Sequence, residues 1–198
     1  MKGKVAAVVL AAGKSTRTLT PKLLLPFGNS TVIQQTVHNV LDSEVDEVLV
    51  VLGFQGDRVA ELFPGAPVRL VMNYKYEDGM LTSIIAGMNA ASPRMEAVMI
   101  MPADHPLIRS ATINSVLMAY RGSEKGIAVP VYQGCRGHPA IFSLTYRNEL
   151  LKLTREGARQ LLHSHPSDVV EVPVDSEEVL IDIDTLDEYH RARGVSNH

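Results

Sequence analysis

The stretch that most constrains this chain is Val5-Ala-Ala-Val-Val-Leu10, which holds no polar residue and runs straight into Ala11, Ala12 and Gly13. A half-solvated strand would alternate polar and apolar residues. A short, wholly apolar run instead reads as a strand covered on both faces, as in a parallel sheet flanked by helices. The turn that follows carries Lys14, Arg17 and Lys22 among Ser15, Thr16, Thr18 and Thr20. Small residues let backbone N–H groups approach an anion, and the cations offset its charge. At the carboxyl end of a strand in an open α/β sheet, where ligands sit, such a turn suits a polyphosphate. The spacing alone also leaves open a plain core strand with a solvated, cationic loop. Two better-known phosphate loops do not fit. The dinucleotide fingerprint needs three glycines where only Gly13 stands, and the P-loop needs a glycine five residues before Gly13, at Val8.

The rest of the chain alternates short apolar runs with helical periods, the pattern of an α/β fold with right-handed crossovers. Strands are expected at Glu47 to Leu52, Val68 to Met72, Ala97 to Met101, Ile127 to Val131, Ala140 to Phe142, Val169 to Val172 and Val179 to Ile183. Helices are expected at Thr31 to Leu41 with Ser30 or Asn29 as cap, at Arg58 to Phe63, along Leu81–Ile84–Ile85–Met88 and along Ile113–Val116–Leu117–Tyr120. Further helices are expected at Leu144 to Leu153, Ala158 to His163 and Leu186 to Ala192, the last capped by Asp184 or Thr185. With 198 residues and no repeat or linker, the expectation is one domain over residues 1–198.

Bulk properties exclude several function classes. The apolar runs are too short to span a membrane, and no export signal opens the chain. The lone Cys135 rules out an internal disulfide and fits a reducing compartment, so a cytoplasmic location is expected. A net charge of −3 argues against a general nucleic-acid binder. An anionic ligand must then be met by local cations.

Pro102-Ala-Asp104-His-Pro106 follows a buried strand, so Asp104 falls on the same rim as the cationic turn. Chemistry at a nucleotide phosphorus calls for a hard divalent cation, and Mg²⁺ takes one or two carboxylates. A turn or helix-cap role for Asp104 stays open. Asp182 and Asp184 alternate and so share a face of the expected last strand. Two carboxylates on one face repel unless something positive lies near them, and either a metal or water at an exposed end would relieve this. Tyr74 to Met80 joins a strand to a helix, with Gly79 permitting close backbone approach. A Cys135–His138 nucleophile and a zinc site at His163 and His165 lack the partners such sites need.

Leu10-Ala-Ala-Gly-Lys-Ser-Thr-Arg17, with Lys22 five residues on, resembles the L-A-A-G-x-S-x-R-M-G-x-x-K signature of the nucleotidyltransferases that load molybdenum cofactor. The chain is most like their cytidylyltransferase branch, which acts on molybdopterin with CTP. Asn73 with Gly79-Met80 and Ser83, Pro102-Ala-Asp-His-Pro106, Arg136-Gly-His-Pro139, Gly157-Ala-Arg159 and Asp182-Ile-Asp-Thr185 extend the resemblance over essentially the whole chain. It implies a Rossmann-like nucleotide-diphospho-sugar transferase fold, a mostly parallel sheet with helices on both faces and antiparallel strands at one edge. It implies Arg17, Lys22 and Asp104 as catalytic. Nucleotide contacts are implied at Leu10, Ala11, Ala12, Gly13, Lys14, Ser15, Lys22, Asn73, Gly79 and Ser83. The second substrate is implied at His105, Gly137, His138 and Pro139, and Mg²⁺ at Asp104 with Asp182 or Asp184, Asp182 being favoured because Asp184 is well placed to cap the last helix.

The implied partners are CTP and the molybdenum-pterin cofactor, with a recipient molybdoenzyme or its chaperone beyond them. Guanylyl transfer, nucleotide transfer to a sugar or alcohol phosphate, and a non-catalytic cofactor-insertion chaperone are the alternatives. Four positions depart from the family pattern: His105 stands for Gln, Thr18-Leu19 for Met-Gly, and Leu186 for Pro. Loss of Lys22 is expected to weaken nucleotide binding and leave thermal stability unchanged.

Overall fold

The structure is a computed structural model and describes residues 3–14, 21–153 and 157–195. In chain order the elements are β1 (Lys4–Ala11), β2 (Pro26–Phe27), β3 (Ser30–Thr31), α1 (Val32–Leu41), β4 (Glu47–Leu52), α2 (Gly56–Ala60), β5 (Arg69–Met72), α3 (Met80–Ala90) and β6 (Met95–Pro102). They continue with α4 (Ser110–Gly122), β7 (Ile127–Tyr132), β8 (Cys135–Arg136), β9 (Ala140–Ser143), α5 (Arg147–Leu150), α6 (Arg159–Ser164), β10 (Val169–Pro173) and α7 (Leu186–Val195).

One eight-stranded sheet organises the chain, in the order β10-β7-β9-β6-β1-β4-β5, with β8 hairpinned onto β7. β1 lies between β4 and β6 and runs parallel to both. The two flanking connections therefore wind outward in opposite directions, which places a switch point at the carboxyl end of β1. β1 is buried as expected, because it is central and covered twice. Val5, Ala7 and Val9 pack on one face with Ile33, Val37 and Val40 of α1, Ile113 and Leu117 of α4, and Tyr189 of α7. Ala6 and Val8 pack on the other with Ile84 and Met88 of α3 and Leu161 of α6. Among the described residues, no helix is long and apolar enough to cross a membrane.

Four local expectations are corrected. The antiparallel strand is not at the edge: β9 lies inside the sheet, antiparallel to both β6 and β7, while the edge strand β10 is parallel to β7. Helix α1 is capped by Thr31, one residue later than expected. Thr31 Oγ1 accepts from the Gln34 amide N–H and the Gln34 side chain returns to the Thr31 backbone, a reciprocal capping box. Leu144 to Leu153 is not one helix but a 3-10 turn, Leu144–Tyr146, followed by the single turn of α5. Val179 to Ile183 is not a strand. Glu177–Leu180 is a 3-10 turn, and its neighbours spend their backbone groups on separate partners rather than on a ladder. The His138 amide donates to the Val179 carbonyl at 2.9 Å, and the Ile183 amide donates to the Asp104 carbonyl at 3.0 Å.

Candidate functional site

The rim forms because four strand ends come level. Leu10 of β1 pairs with Val51 of β4 and with Pro102 of β6. Past the strands, the Ala103 amide donates to the Leu10 carbonyl at 3.1 Å, the Phe54 amide to Ala12 at 3.1 Å, and the Asn73 amide to Leu52 at 2.8 Å. These bonds bring Ala12–Lys14, Asn73 and Asp104 to one edge of the sheet, although they are scattered along the sequence.

The segment carrying Asp104 is fixed from behind. Thr36, fully buried on α1, donates to the Ala103 carbonyl at 3.0 Å, and Asn39 donates to the Pro106 carbonyl at 2.9 Å. With Ile183 bonded to the Asp104 carbonyl, little freedom is left beyond the Asp104 side-chain torsions. Asp104 does not cap α4, whose N-cap is Arg109. That helix start is instead met by Glu178. This carboxylate is buried, accepts from the Arg109 backbone and guanidinium at 3.4 and 3.2 Å, and accepts from the Thr112 hydroxyl in a short contact. A negative group there suits the positive end of the helix.

Lys22 joins the pieces. Its Nζ donates to Asp104 Oδ2 at 2.5 Å and to Asp184 Oδ1 at 2.7 Å. The three side chains are 16%, 18% and 29% exposed, respectively. Burial opposes the Lys22 charge, but the Asp104 and Asp184 carboxylates outweigh it and raise its pKa. Burial likewise pushes the Asp104 carboxyl up, and His105 together with Lys22 overcomes this, holding it well below the usual carboxylate range. Asp182 is different: burial first, then the Asp184 and Asp104 charges, raise its pKa. The ranking of Asp182 over Asp184 rested on Asp184 capping α7. Thr185 and Glu188 form that cap instead, Thr185 Oγ1 accepting from the Glu188 amide at 3.2 Å and Glu188 Oε2 accepting from the Thr185 amide at 2.8 Å. Asp184 is thereby left to face Lys22.

Asp104 and Asp184 thus converge on one cation, here an ammonium. A hard divalent ion that takes one or two carboxylates fits the same pair. Among the described residues, no group of three or more His, Cys, Asp or Glu side chains is arranged to hold a metal.

On the other side of the turn, Lys14 donates to Glu77 at 2.5 Å and lies over the Tyr76 ring, 5.8 Å from its centre. The Glu77 carboxylate raises the pKa of Lys14. The loop holding Glu77 is built around Asn73, which is buried. Its amide donates to the Thr82 and Ser83 hydroxyls at 2.9 and 3.0 Å, and its oxygen accepts from the Lys75 amide at 2.9 Å. Asn73 and Ser83 therefore shape the loop from inside. Gly79 begins α3 at φ 108°, a left-handed conformation that explains glycine there.

His105 and His138 complete the neighbourhood. His105 is only 5% exposed and its Nδ1 lies 2.9 Å from Asp104 Oδ1. Its ring meets that of His138 edge to face, with centres 5.1 Å apart. Burial pushes His138 down to about 3, the positive potential of His105 adds to this, and Asp104 opposes it. Among the described residues its Nδ1 has no hydrogen-bond partner. Gly137 lets this loop press against the Glu177–Leu180 turn, since a Cβ there would collide with the Val179 carbonyl.

Ser15 and Arg17, expected at the phosphates, lie outside the described residues. Thr36, Asn39, Glu77 and Glu178 were not singled out by sequence reasoning. Each acts through a partner more than 60 residues away, and only Thr36, a polar residue on the apolar face of α1, carried any signal.

A doubly wound sheet with cations and carboxylates gathered at its switch point defines a Rossmann-like α/β protein. Residues 7–169 match the MobA-like NTP transferase domain, and the chain belongs to that family. It is 27% identical over 197 residues to nicotine blue oxidoreductase of Paenarthrobacter nicotinovorans, covering 94% of this chain and 95% of that one. It is 25% identical over 190 residues to molybdenum cofactor cytidylyltransferase of Escherichia coli (strain K12), covering 94% of each. Among solved structures, the manganese complex of Rv0371c from Mycobacterium tuberculosis H37Rv superposes with a TM-score of 0.82 at 28% identity, covering 98% of this chain and 100% of that one.

Proposed function

We propose that the chain transfers CMP from CTP to the terminal phosphate of molybdopterin cofactor, releasing pyrophosphate. One observation carries the reading: a cation from the phosphate turn and carboxylates from two distant segments meet at one point on the rim. An acceptor phosphate oxygen attacks the α-phosphorus of CTP, the bond from that phosphorus to the β-phosphate oxygen breaks, and pyrophosphate leaves. The attacking phosphate is already ionised, so no strong general base is needed. Catalysis is then positioning and charge neutralisation. Lys22 and Lys14 act as point charges toward the triphosphate, and Arg17 is assigned a two-oxygen clamp. Asp104 and Asp184 would hold a Mg²⁺ ion, which would supply further neutralisation of the triphosphate. Asn73, Ser83 and Gly79 hold the loop that faces the base and ribose, and Gly137, His138 and Pro139 stand on the acceptor side.

The decisive experiment is a panel of nucleoside triphosphates assayed with molybdopterin for pyrophosphate release. CTP should be preferred, because a hydrogen-bonded base site rejects a mismatched partner strongly. Equal or better turnover with GTP would favour guanylyl transfer and overturn the cytidylyl reading. Binding without pyrophosphate release would favour a cofactor-insertion chaperone. Similarity to a relative named as an oxidoreductase, at comparable identity, makes the same panel necessary, since transfer and reduction leave different products.

A further inference from the structure

We propose that His105 is a positioning residue for Asp104, fixing which carboxylate oxygen faces the cation site. The inference rests on the metal reading above and changes the role of His105 from an acceptor contact to a support. Asp104 Oδ2 accepts from the Lys22 ammonium, and a carboxylate is an acceptor on both oxygens, so in the 2.9 Å contact on Oδ1 His105 Nδ1 is the donor. That bond occupies Oδ1 and leaves Oδ2 directed at Lys22. The Asp104 backbone is already held by Ile183 and, through its neighbours, by Thr36 and Asn39. Rotation of the carboxylate is the remaining freedom, and the His105 donor removes it. His105 is itself held, buried at 5% exposure with its ring against that of His138. A residue so enclosed is better placed to orient a ligand-bearing carboxylate than to meet a substrate. Partners of this kind typically change metal affinity or activity by 10–100-fold when removed.

The test compares wild type with His105→Phe, which keeps a ring but no donor, and His105→Asn, which keeps an N–H near the place of Nδ1. Free Mn²⁺ is measured by electron paramagnetic resonance in titrations without nucleotide, and thermal unfolding confirms that each variant folds. His105→Leu replaces the Phe variant if that one does not fold. The expected result is Mn²⁺ binding weakened roughly 10–100-fold in the Phe variant and little changed in the Asn variant. In turnover assays kcat should fall while the KM for the acceptor stays the same. Wild-type Mn²⁺ affinity in the Phe variant overturns the inference, as does a raised acceptor KM with unchanged Mn²⁺ binding. Failure of wild type itself to bind Mn²⁺ refutes the metal reading, and the inference falls with it. The two failures are therefore distinguishable by which protein shows them.

Discussion

Replacing Lys22 with Met removes the one described charge that touches both Asp104 and Asp184, which reverses the expectation from sequence alone that losing Lys22 leaves thermal stability unchanged. The ammonium sits 2.5 and 2.7 Å from them, with all three side chains less than a third exposed. Removing one partner of a buried ion pair costs about 3–5 kcal/mol when the other charge stays buried. This site is at the sheet rim and partly exposed, so the cost falls at or just below the bottom of that range, about 2–3 kcal/mol. For a domain of this size each kcal/mol moves the midpoint by about 2–4 °C, giving a fall in Tm of roughly 5–10 °C at pH 7. The sign with pH follows from Asp104. Its folded pKa is depressed, so its contribution is present above the unfolded value, about 4, and is lost as pH falls further. The penalty of Lys22→Met should therefore be largest near neutrality and shrink below about pH 4. Mg²⁺ should recover more stability in the variant than in wild type, because it can supply the missing cation. Calorimetric or dichroism melts at pH 7 and at about pH 2, with and without Mg²⁺, read all of this. An unchanged Tm at pH 7, or an equal drop at both pH values, would refute the argument.

Asp104→Asn keeps the shape and a carbonyl oxygen but removes a charge. It should fold, lose turnover by orders of magnitude and lose the tightening of nucleotide binding by Mg²⁺, as titration calorimetry would report. His138 has its pKa pushed down to about 3, so the unfolded chain takes up a proton near pH 6.5 that the folded chain, with His105 and Asp104 around it, refuses. Wild type should lose about 2 kcal/mol between pH 7 and pH 5 from this group alone, and denaturant melts of His138→Gln should show a flatter profile. Gly137→Ala should destabilise by about 1–3 kcal/mol through the clash with Val179, and a neutral result in urea unfolding would show that the loop yields freely.

Much of the sheet was legible because its central strands are apolar on both faces, which is what Val5 to Leu10 and Ala97 to Met101 look like. Asp104 was legible for a related reason: a carboxylate directly after such a strand must lie near its carboxyl rim. Its partners were not. Lys22 stands 82 residues from Asp104 and 162 from Asp184, and no local pattern encodes either contact. Val179 to Ile183 has the apolar character of a strand, yet strand formation needs a neighbour with free backbone groups, and Val179 and Ile183 are bonded to His138 and Asp104 instead. The premise for preferring Asp182 to Asp184, that Asp184 caps α7, is not met, for want of a third residue, Glu188. Its carboxylate completes the α7 cap with Thr185, and the Asp184 carboxylate meets Lys22.

β9 runs against both neighbours, and this polarity affects how the rim can change over time. The strands parallel to β1 reach the rim with their ends, so β4, β5 and β6 each lead on into a helix that must stay seated. β9 reaches it with its beginning: Ala140 sits beside Ile100, and Gly137 to Pro139 arrive from the β7–β8 hairpin. A hairpin tip can lengthen, shorten or change charge with no helix to re-seat. The tip of that hairpin, at Gln133 and Gly134, is thus an exchangeable attachment, while Gly137 to Pro139, packed against the Glu177–Leu180 turn, and the half of the sheet carrying the cationic turn can remain as they are.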